Sequence, residues 1–578
     1  MHSDVGKATR RFLVGGLVVA VLLAGAAAIF VPRMSANANL RTAKTAQTLR
    51  GGVSHAAVRH GEVNLASLPV AKTATATTAV KSVATNRSRS SSAQLQAYRN
   101  NALAHPGSLP KAVAANPPSN TNLYHSGATP VLQATHAGLT SVDGGGWYPP
   151  DQAIAAAPGY IVEGVNNVIE VYNNTYGTVA GPWTPDSFFA SVKQSGSTCS
   201  DPQITSDATR QVFLFEWLEI ATGGNDYIDI AISKTKAASP ITNYFVYQVD
   251  PRVANSDDFC DYGTMGYDYW GMYVTCVTFS ISTSGFLGNN TFAFSLDNMQ
   301  AGSLGTFDYW YSISNSYGGA YRISPAIEDG VPQAEWIATS DAGYGHVSNN
   351  LILCSITNTQ AIPTGTLPTA TCVGNTMPTS YDDSIGAAEP GTSATVYAGD
   401  GFKQIAYRGG RLYFAMPEAV NCSGHTHDGI YWGSVVPQLT TLSAHNPQWV
   451  NGVVAGYTEM GVQCYSNADA YMPTLIPSSE NDLTLVYNYS SSSVYPGIVF
   501  TGRANTDTPG TMGQGSSRFV VNGTHSNDSG RWGDYSACAL TTNGGSRGIV
   551  YCGGEFGGPH TALGGFGWDT ELYTIRME

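Results

Sequence analysis

The sequence predicts an all-β chain, a six- or seven-bladed β-propeller preceded by an N-terminal hydrophobic helix and a disordered stalk. Three observations carry that prediction: a recurring unit of acid, strand, turn and strand from about Tyr148 onward; no Pro- or Ser-rich linker after Gly144; and a sharp change of composition near residue 130.

The unit is visible once each copy is aligned on its acid. Asp151 precedes QAIAAAPGYIVEGV, Asp201 precedes PQITSDATRQVFLFEWL, Asp261 precedes YGTMGYDYWGMYVTCVTF, and Asp534 precedes YSACALTTNGGSRGIVYCGGEF. The central pieces APG, DATR, YDYWG and TNGGS supply the Gly, Asn and Asp of tight turns, while Val, Ile, Phe and Tyr fill the flanks. After Asp400 the strands QIAYR and RLYFA meet around Gly409 and Gly410, and after Asp469 a looser copy ends in LTLVYNY. AEWIATS and LILCSIT, between Arg322 and Thr357, make a further pair if Glu335 replaces the acid. Six or seven units of roughly 65 to 75 residues exceed the usual four-stranded repeat of about 40 to 50, which long surface loops accommodate. Such units cannot bury both faces alone, so they stack radially. A run of separate sandwiches is the rival, and it would need linkers.

Residues 1–38 form a membrane-directed segment. Lys7, Arg10 and Arg11 precede a 20-residue apolar run from Phe12 to Val31, ended by Pro32 and Arg33. The run is long for a signal-peptide core and long enough to span a bilayer, while Ala36-Asn37-Ala38 offers a cleavage site. A retained signal anchor and a cleaved signal peptide both fit, and either places the rest of the chain outside the cell or on its surface. Residues 39–130 are rich in Ala, Thr, Ser and Asn, and their composition predicts a flexible stalk because it cannot offset chain entropy by apolar burial. Residues 1–130 carry 14 Lys and Arg against Asp4 and Glu62, which leaves 14 basic and 39 acidic of the chain's 28 and 41 for the propeller domain, 131–578. An acidic domain disfavours nucleic acid as a partner. The basic stalk suits a solubilising spacer or contact with an anionic surface.

All nine cysteines follow residue 198, which fits an oxidising compartment. Cys538 and Cys552 lie symmetrically about Gly545 in an expected hairpin and should pair; Cys354 with Cys372 and Cys422 with Cys464 would close loops. Cys199 and Cys260 stand before the acids of consecutive units and would pair side by side, leaving Cys276; alternatively Cys260 and Cys276, symmetric about Asp268, pair and free Cys199.

The recurring acids are the sharpest functional candidates. In a propeller the innermost strand of each blade starts near one mouth of the central channel, so Asp151, Asp201, Asp261, Asp469 and Asp534 would converge there. Converging carboxylates repel unless protonated, hydrogen-bonded or neutralised, and Ca2+ suits such a place. The alternative is that each acid caps its own loop and fastens adjacent blades. No organic cofactor is indicated. His425-Thr-His427-Asp428 places two imidazoles on one face of an extended segment, in a loop beside Cys422. Trp532, Tyr535, Tyr269 and Trp270 are aromatic candidates for stacking on sugar rings, as is Phe307-Asp-Tyr-Trp-Tyr311.

Asp201-Pro202 before VFLFEW, AISKT before NYFVYQV, CDYGTMGYD before MYVTCVTF, and RWGDYSACAL resemble a group of secreted bacterial β-propeller proteins. The similarity spans about Trp147 to Glu578 and implies fold and export. The chain is also similar, distantly, to sialidase-like propellers, though their Ser-x-Asp-x-Gly-x-x-Trp box is missing and Thr339-Ser-Asp-Ala-Gly343 is a poor substitute. Asp261-Tyr-Gly stands where the group often has Asp-Tyr-Pro.

Two functional classes follow. One is a surface-displayed binding or scaffold module for polysaccharide or a surface protein. The other is a glycan-active hydrolase or lyase using channel-mouth carboxylates, which requires two carboxyl groups at a set separation with one kept protonated. The repeat singles out no such pair, only ten Arg lie in the domain, and Gly-x-Ser-x-Gly, His-Glu-x-x-His and phosphate-loop motifs are missing, so binding is the expectation. A surface relying on neutral polar groups also predicts acid tolerance.

Overall fold

The computed structural model describes residues 47–55, 58–71, 81–82, 92–119, 130–222, 224–234, 239–311, 322–328, 330–340, 347–392, 396, 401–441, 449–479, 481–512, 517–527, 531–533, 537–540, 548–561 and 567–576. The chain divides into two units, Met1–Ala38 and Asn39–Glu578. The first, with the expected apolar segment 12–31, lies outside the described residues; among the described residues no helix is long and apolar enough to cross a membrane.

The second unit is an all-β propeller. Among its described residues, strands fall into seven antiparallel meanders. The first sheet holds Ala153–Ala157, Tyr160–Val165, Val168–Asn173 and Thr178–Trp183. The second starts with Thr198–Asp207 and Val212–Ile220, the third with Asp258–Tyr267 and Gly271–Ser280. The fourth is the copy without an aligned Asp, Ser324–Glu328 followed by Ala334–Ser340 and Ser348–Thr357. Ile405–Arg408 and Arg411–Cys422 open the fifth, Asp469–Pro477 and Leu483–Ser491 the sixth, Ala537–Leu540 and Ile549–Thr561 the seventh. The first strands touch in a closed cycle, each against the next, and Ala537–Leu540 returns to Ala153–Ala157. Ser324–Glu328 pairs in parallel with its neighbours on both sides, Tyr267 opposite Ile327 and Ala326 opposite Ile405, which joins three meanders into one 15-stranded sheet.

The core lies in the seams between sheets. Val162 and Ile169 of the first sheet pack on Phe215, Trp217 and Tyr244 of the second; Ile498 and Phe500 of the sixth pack on Val550 and Ile575 of the seventh. These sheets therefore bury apolar residues on both faces, which is why Val212–Ile220 reads as an apolar run interrupted only by Glu216 and Glu219.

The largest departure from expectation is the segment 39–130. Its described parts are not a free stalk but a belt around the sheet edges. Gln47–Thr48 pairs with the outer strand of the fourth sheet, Gly51–Ser54 with that of the third, and Arg59–Asn64 with that of the second. Ala71 N then donates to Pro182 O of the first sheet at 2.7 Å. Farther on, Lys111–Ala112 runs parallel to Asn421 and Cys422 in the fifth sheet, Ser119 bridges Arg518 in the sixth, and Val131–Thr140 completes the seventh by pairing with Gly567–Arg576. Edge pairing uses backbone N–H and C=O groups, so a chain too poor in apolar side chains to fold alone can still be ordered by edges already in place. Two polar side-chain contacts add to the belt's pairing: Arg59 donates to Gln194 Oε1 and Lys234 meets Glu62.

Candidate functional site

The start of the first strand is marked by a bulge in three of the sheets. Pairing breaks between Ser200 and Gln203 in the second sheet, Asp261 and Thr264 in the third, and Tyr471 and Thr474 in the sixth, so two residues face one on the partner strand. The residue entering each bulge is left-handed: Asp201 at φ 54°, Tyr262 at 52° and Met472 at 50°; Asp151, at 53°, holds the same place ahead of the first sheet. Asp and Asn tolerate this conformation better than most residues. Structural equivalence thus follows the bulge and not the acid. Asp261 stands one residue before the bulge and Asp469 three, and the expected ring of equivalent carboxylates does not form among the described residues. Asp534 and Asp400 lie outside them. Gly263, in the place of the expected proline, leaves room for a neighbour: a Cβ there would sit 3.0 Å from Glu216 Oε1 of the second sheet.

The four described acids are all buried; Asp261 and Asp469 accept from backbone amides, and Asp151 and Asp201 accept from side chains. Asn166, in the hairpin of the first sheet, donates to Asp151 Oδ2 at 2.7 Å and to Pro149 O at 2.8 Å, while its carbonyl accepts from Asp201 N at 2.6 Å. Ser200 Oγ donates to Asp201 Oδ1 at 2.5 Å, and Tyr262 N to Asp261 Oδ1 at 2.9 Å. Asp469 accepts from Ala388 N at 2.9 Å, from Asp428 N at 2.9 Å and from His427 Nδ1 at 3.1 Å. Asp261 and Asp469 thus cap backbone amides, while Asp151 and Asp201 are linked through the Asn166 side chain. Among the described residues no three His, Cys, Asp or Glu side chains are grouped to hold a metal ion.

The His427, Asp428 and Asp469 cluster has the most distinctive electrostatics. Both ring nitrogens of His427 face acceptors, Asp469 Oδ1 and Ser466 O at 3.2 Å, and only the imidazolium donates to both. Burial alone would lower its pKa, but the hydrogen bond and charge of Asp469 outweigh that and raise it. Asp428 is pushed up to about 7 by burial and by the charge of Asp469, although Ser384 Oγ and Ile385 N both donate to it at 2.8 Å. Ser384, Ile385 and Ala388 belong to the connection between the fourth and fifth sheets, and Arg99, on the belt helix Ser92–Ala104, donates to Ile385 O at 3.1 Å and to Gly386 O. Belt, connection and two sheets meet here. His425 sits exposed at the hairpin and takes no part.

Two cavities of about 20 Å³ each lie along the ring of first strands, each with room for roughly one water. Lys403, Gln152, Gln203 and Gln404 line one, Tyr407 and Arg408 the other; no carboxylate is among their lining residues.

Of the aromatic candidates, Trp532 is buried: its Nε1 donates to Asn488 Oδ1 at 3.1 Å and its ring meets Tyr471 edge-on at 6.2 Å, so it is core and no platform. Tyr535 lies outside the described residues. Tyr269 and Trp270, in the turn joining the first two strands of the third sheet, remain half-buried, packed edge-on at 4.9 Å with the Arg210 guanidinium 4.6 Å over the tyrosine ring. Phe307 and Trp310 are buried, whereas Tyr309 and Tyr311 stack at 6.3 Å on the rim.

Disulfides join Cys354 to Cys372, Cys422 to Cys464 and Cys538 to Cys552 as expected, and Cys260 to Cys276. Cys199 is a free, buried thiol, so its pairing with Cys260 is corrected. The two residues stand at equivalent strand positions in neighbouring sheets, but Cys276 lies on the strand paired with that of Cys260, opposite its bulge. Four disulfides suit an oxidising, extracellular environment.

No family model matches the sequence, and no curated protein does. Among solved structures the chain has distant similarity to a phage phi92 endosialidase (10% identity, 74% of this chain and 67% of that one, TM-score 0.31). A family-43 endo-arabinanase from Bacillus licheniformis is similar at 11% identity over 51% of this chain and 94% of its own, TM-score 0.24. For the Trypanosoma rangeli sialidase the figures are 9%, 73%, 60% and 0.29.

Sequence reasoning missed Asn166, whose role depends on two acids 50 residues apart becoming neighbours, and the buried glutamates of the second strands, Glu163 and Glu216, which read as ordinary polar positions.

Proposed function

We propose that the protein is an exported seven-bladed β-propeller acting as a rigid binding or scaffold module, with polysaccharide or a surface protein as its ligand. The observation that carries this reading is that the recurrent carboxylates serve the fold: all four are buried, Asp261 and Asp469 accept from backbone amides, and Asp151 and Asp201 are tied together through Asn166. Ligand contact then falls to the surface loops, where Tyr269 and Trp270 present half-exposed rings braced by Arg210. Glycan hydrolysis is the second reading, and it rests on the Asp428 and Asp469 pair, in which one carboxyl holds its proton near neutrality beside a hydrogen-bonded carboxylate. The test passes residues 39–578 over bacterial and plant polysaccharides and scores retention and reducing-end release separately. Retention without release supports the module. Release that Asp469→Asn or Asp534→Asn abolishes establishes the enzyme.

A further inference from the structure

The ring closes where the first sheet meets the seventh, and that seam is built around one carboxyl group. Glu163, fully buried on Tyr160–Val165, reaches across to both strands of the neighbouring edge. Its Oε1 lies 2.6 Å from Thr570 Oγ1 on Gly567–Arg576 and 2.5 Å from Gln152 Nε2; its Oε2 accepts from Leu139 N on Val131–Thr140 at 3.1 Å and lies 3.2 Å from the Tyr172 hydroxyl.

Counting protons shows that an ionised Glu163 does not satisfy this arrangement. The Tyr172 hydroxyl also lies 2.7 Å from Glu170 Oε2, and the Thr570 hydroxyl 2.8 Å from Leu139 O. Two hydroxyl protons therefore serve four contacts, which leaves two contacts without a proton; Leu139 O can only accept, and so does Glu170 while it is ionised. A proton on Glu163 supplies one of the two: the carboxylic acid donates to one hydroxyl oxygen, which is then free to donate to Glu170 or to Leu139 O.

We propose that the seam between the first and seventh sheets is a proton-operated latch, shut while Glu163 holds a proton and loosened when it gives that proton up. Ionisation would place a buried negative charge beside Glu170, leave a second hydroxyl contact without a proton and weaken the hold on Val131–Thr140, the strand the belt contributes to close the ring. The titratable groups facing the seam add little positive charge: Glu170, Tyr172, Tyr176 and Asp143 from the first sheet and the loop before it, Asp569, Glu571 and Tyr573 from Gly567–Arg576, Tyr551 behind them, and His136, whose ring packs 5.8 Å from both Tyr172 and Tyr176. Among the described residues no Lys or Arg pairs with Glu163. Burial, the largest influence, raises its pKa to about 7, in agreement with the proton count.

The experiment is hydrogen exchange read by mass spectrometry on peptides covering 131–140 and 160–173, corrected for intrinsic exchange, from pH 5 to 8. One linked proton predicts protection of 131–140 that falls by up to about tenfold per pH unit between pH 5 and 7 and then levels. Glu163→Gln, whose amide donates at every pH, should flatten that dependence. A wild-type profile already flat at 131–140, or a variant with the wild-type slope, overturns the latch. If the variant does not fold, the wild type alone decides: a loss steeper at this seam than in the other sheets supports the latch, and an equal loss in all seven sheets overturns it.

Discussion

Asn166 donates to the Asp151 carboxylate at 2.7 Å while its own carbonyl accepts from the Asp201 amide at 2.6 Å. One neutral side chain thus ties the entry of the first sheet to that of the second. Asn166→Ala should lower unfolding stability by about 1–3 kcal/mol, because it strips buried polar partners from both acids. Urea denaturation checks it; a change within about 0.5 kcal/mol, the size of a surface substitution, would mean that the clamp is decorative.

The belt should be needed for solubility. A chain begun at Val131 leaves the outer strands of the second, third and fourth sheets, Asn243–Val249, Phe307–Trp310 and Thr369–Tyr381, as open edges. Such edges template association, so this chain should elute as aggregate in size exclusion where residues 39–578 elute as one species.

Thiol counting tests the disulfide assignment. Native protein should show no reactive thiol, since Cys199 is buried and its pKa is raised well above the ordinary value by burial and by Asp229. Denatured without reductant, it should titrate one thiol per chain.

Stability should rise on mild acidification. Burial raises Asp308, Asp428 and Glu571 to about 7, and Glu216, Glu328, Glu335 and Glu418 well above the usual carboxylate range. Below the unfolded pKa, near 4, both states hold these protons and the contribution is complete; as pH rises towards 7 only the folded state retains them, and stability is lost. His427, raised by Asp469, acts in the same sense: its contribution is complete below the unfolded value near 6.5 and is lost as pH climbs through the higher folded one. Calorimetry should therefore give a higher Tm at pH 5 than at pH 8, and the reverse order would refute the reading. Acid tolerance, expected from the sparse surface charge, has its stronger cause in buried carboxyls.

Two tryptophans should separate fold from ligand. Trp532→Ala removes a buried indole and its bond to Asn488 and should cost about 3–5 kcal/mol. Trp270→Ala should leave Tm nearly unchanged yet weaken retention on the ligand about tenfold or more, as loss of an anchoring aromatic does. Equal retention by wild type and Trp270→Ala would move the contact elsewhere.

Part of the site was legible because the unit repeats. Asp151 and Asp201 were found as a pair, and they share one backbone conformation and one partner. Asp261 and Asp469 resemble them in sequence but stand one and three residues before their bulges, since a bulge shifts register without changing which residue types surround it. His427 was noticed beside His425 as a metal pair, whereas its partner is Asp469, 42 residues away.

By itself the sequence determined the repeat, its six or seven strand groups, three of the four disulfides and the division of charge between basic N-terminal segment and acidic domain. These follow from local alternation, turn chemistry and composition, which any short window carries. Only the tertiary structure decided that the Ala- and Ser-rich segment is a belt, that Cys199 is free, that Trp532 is core and that Glu163 sits on the closing seam. Each of these depends on backbone edges or buried polar contacts between residues far apart in the chain, and no local pattern encodes such contacts.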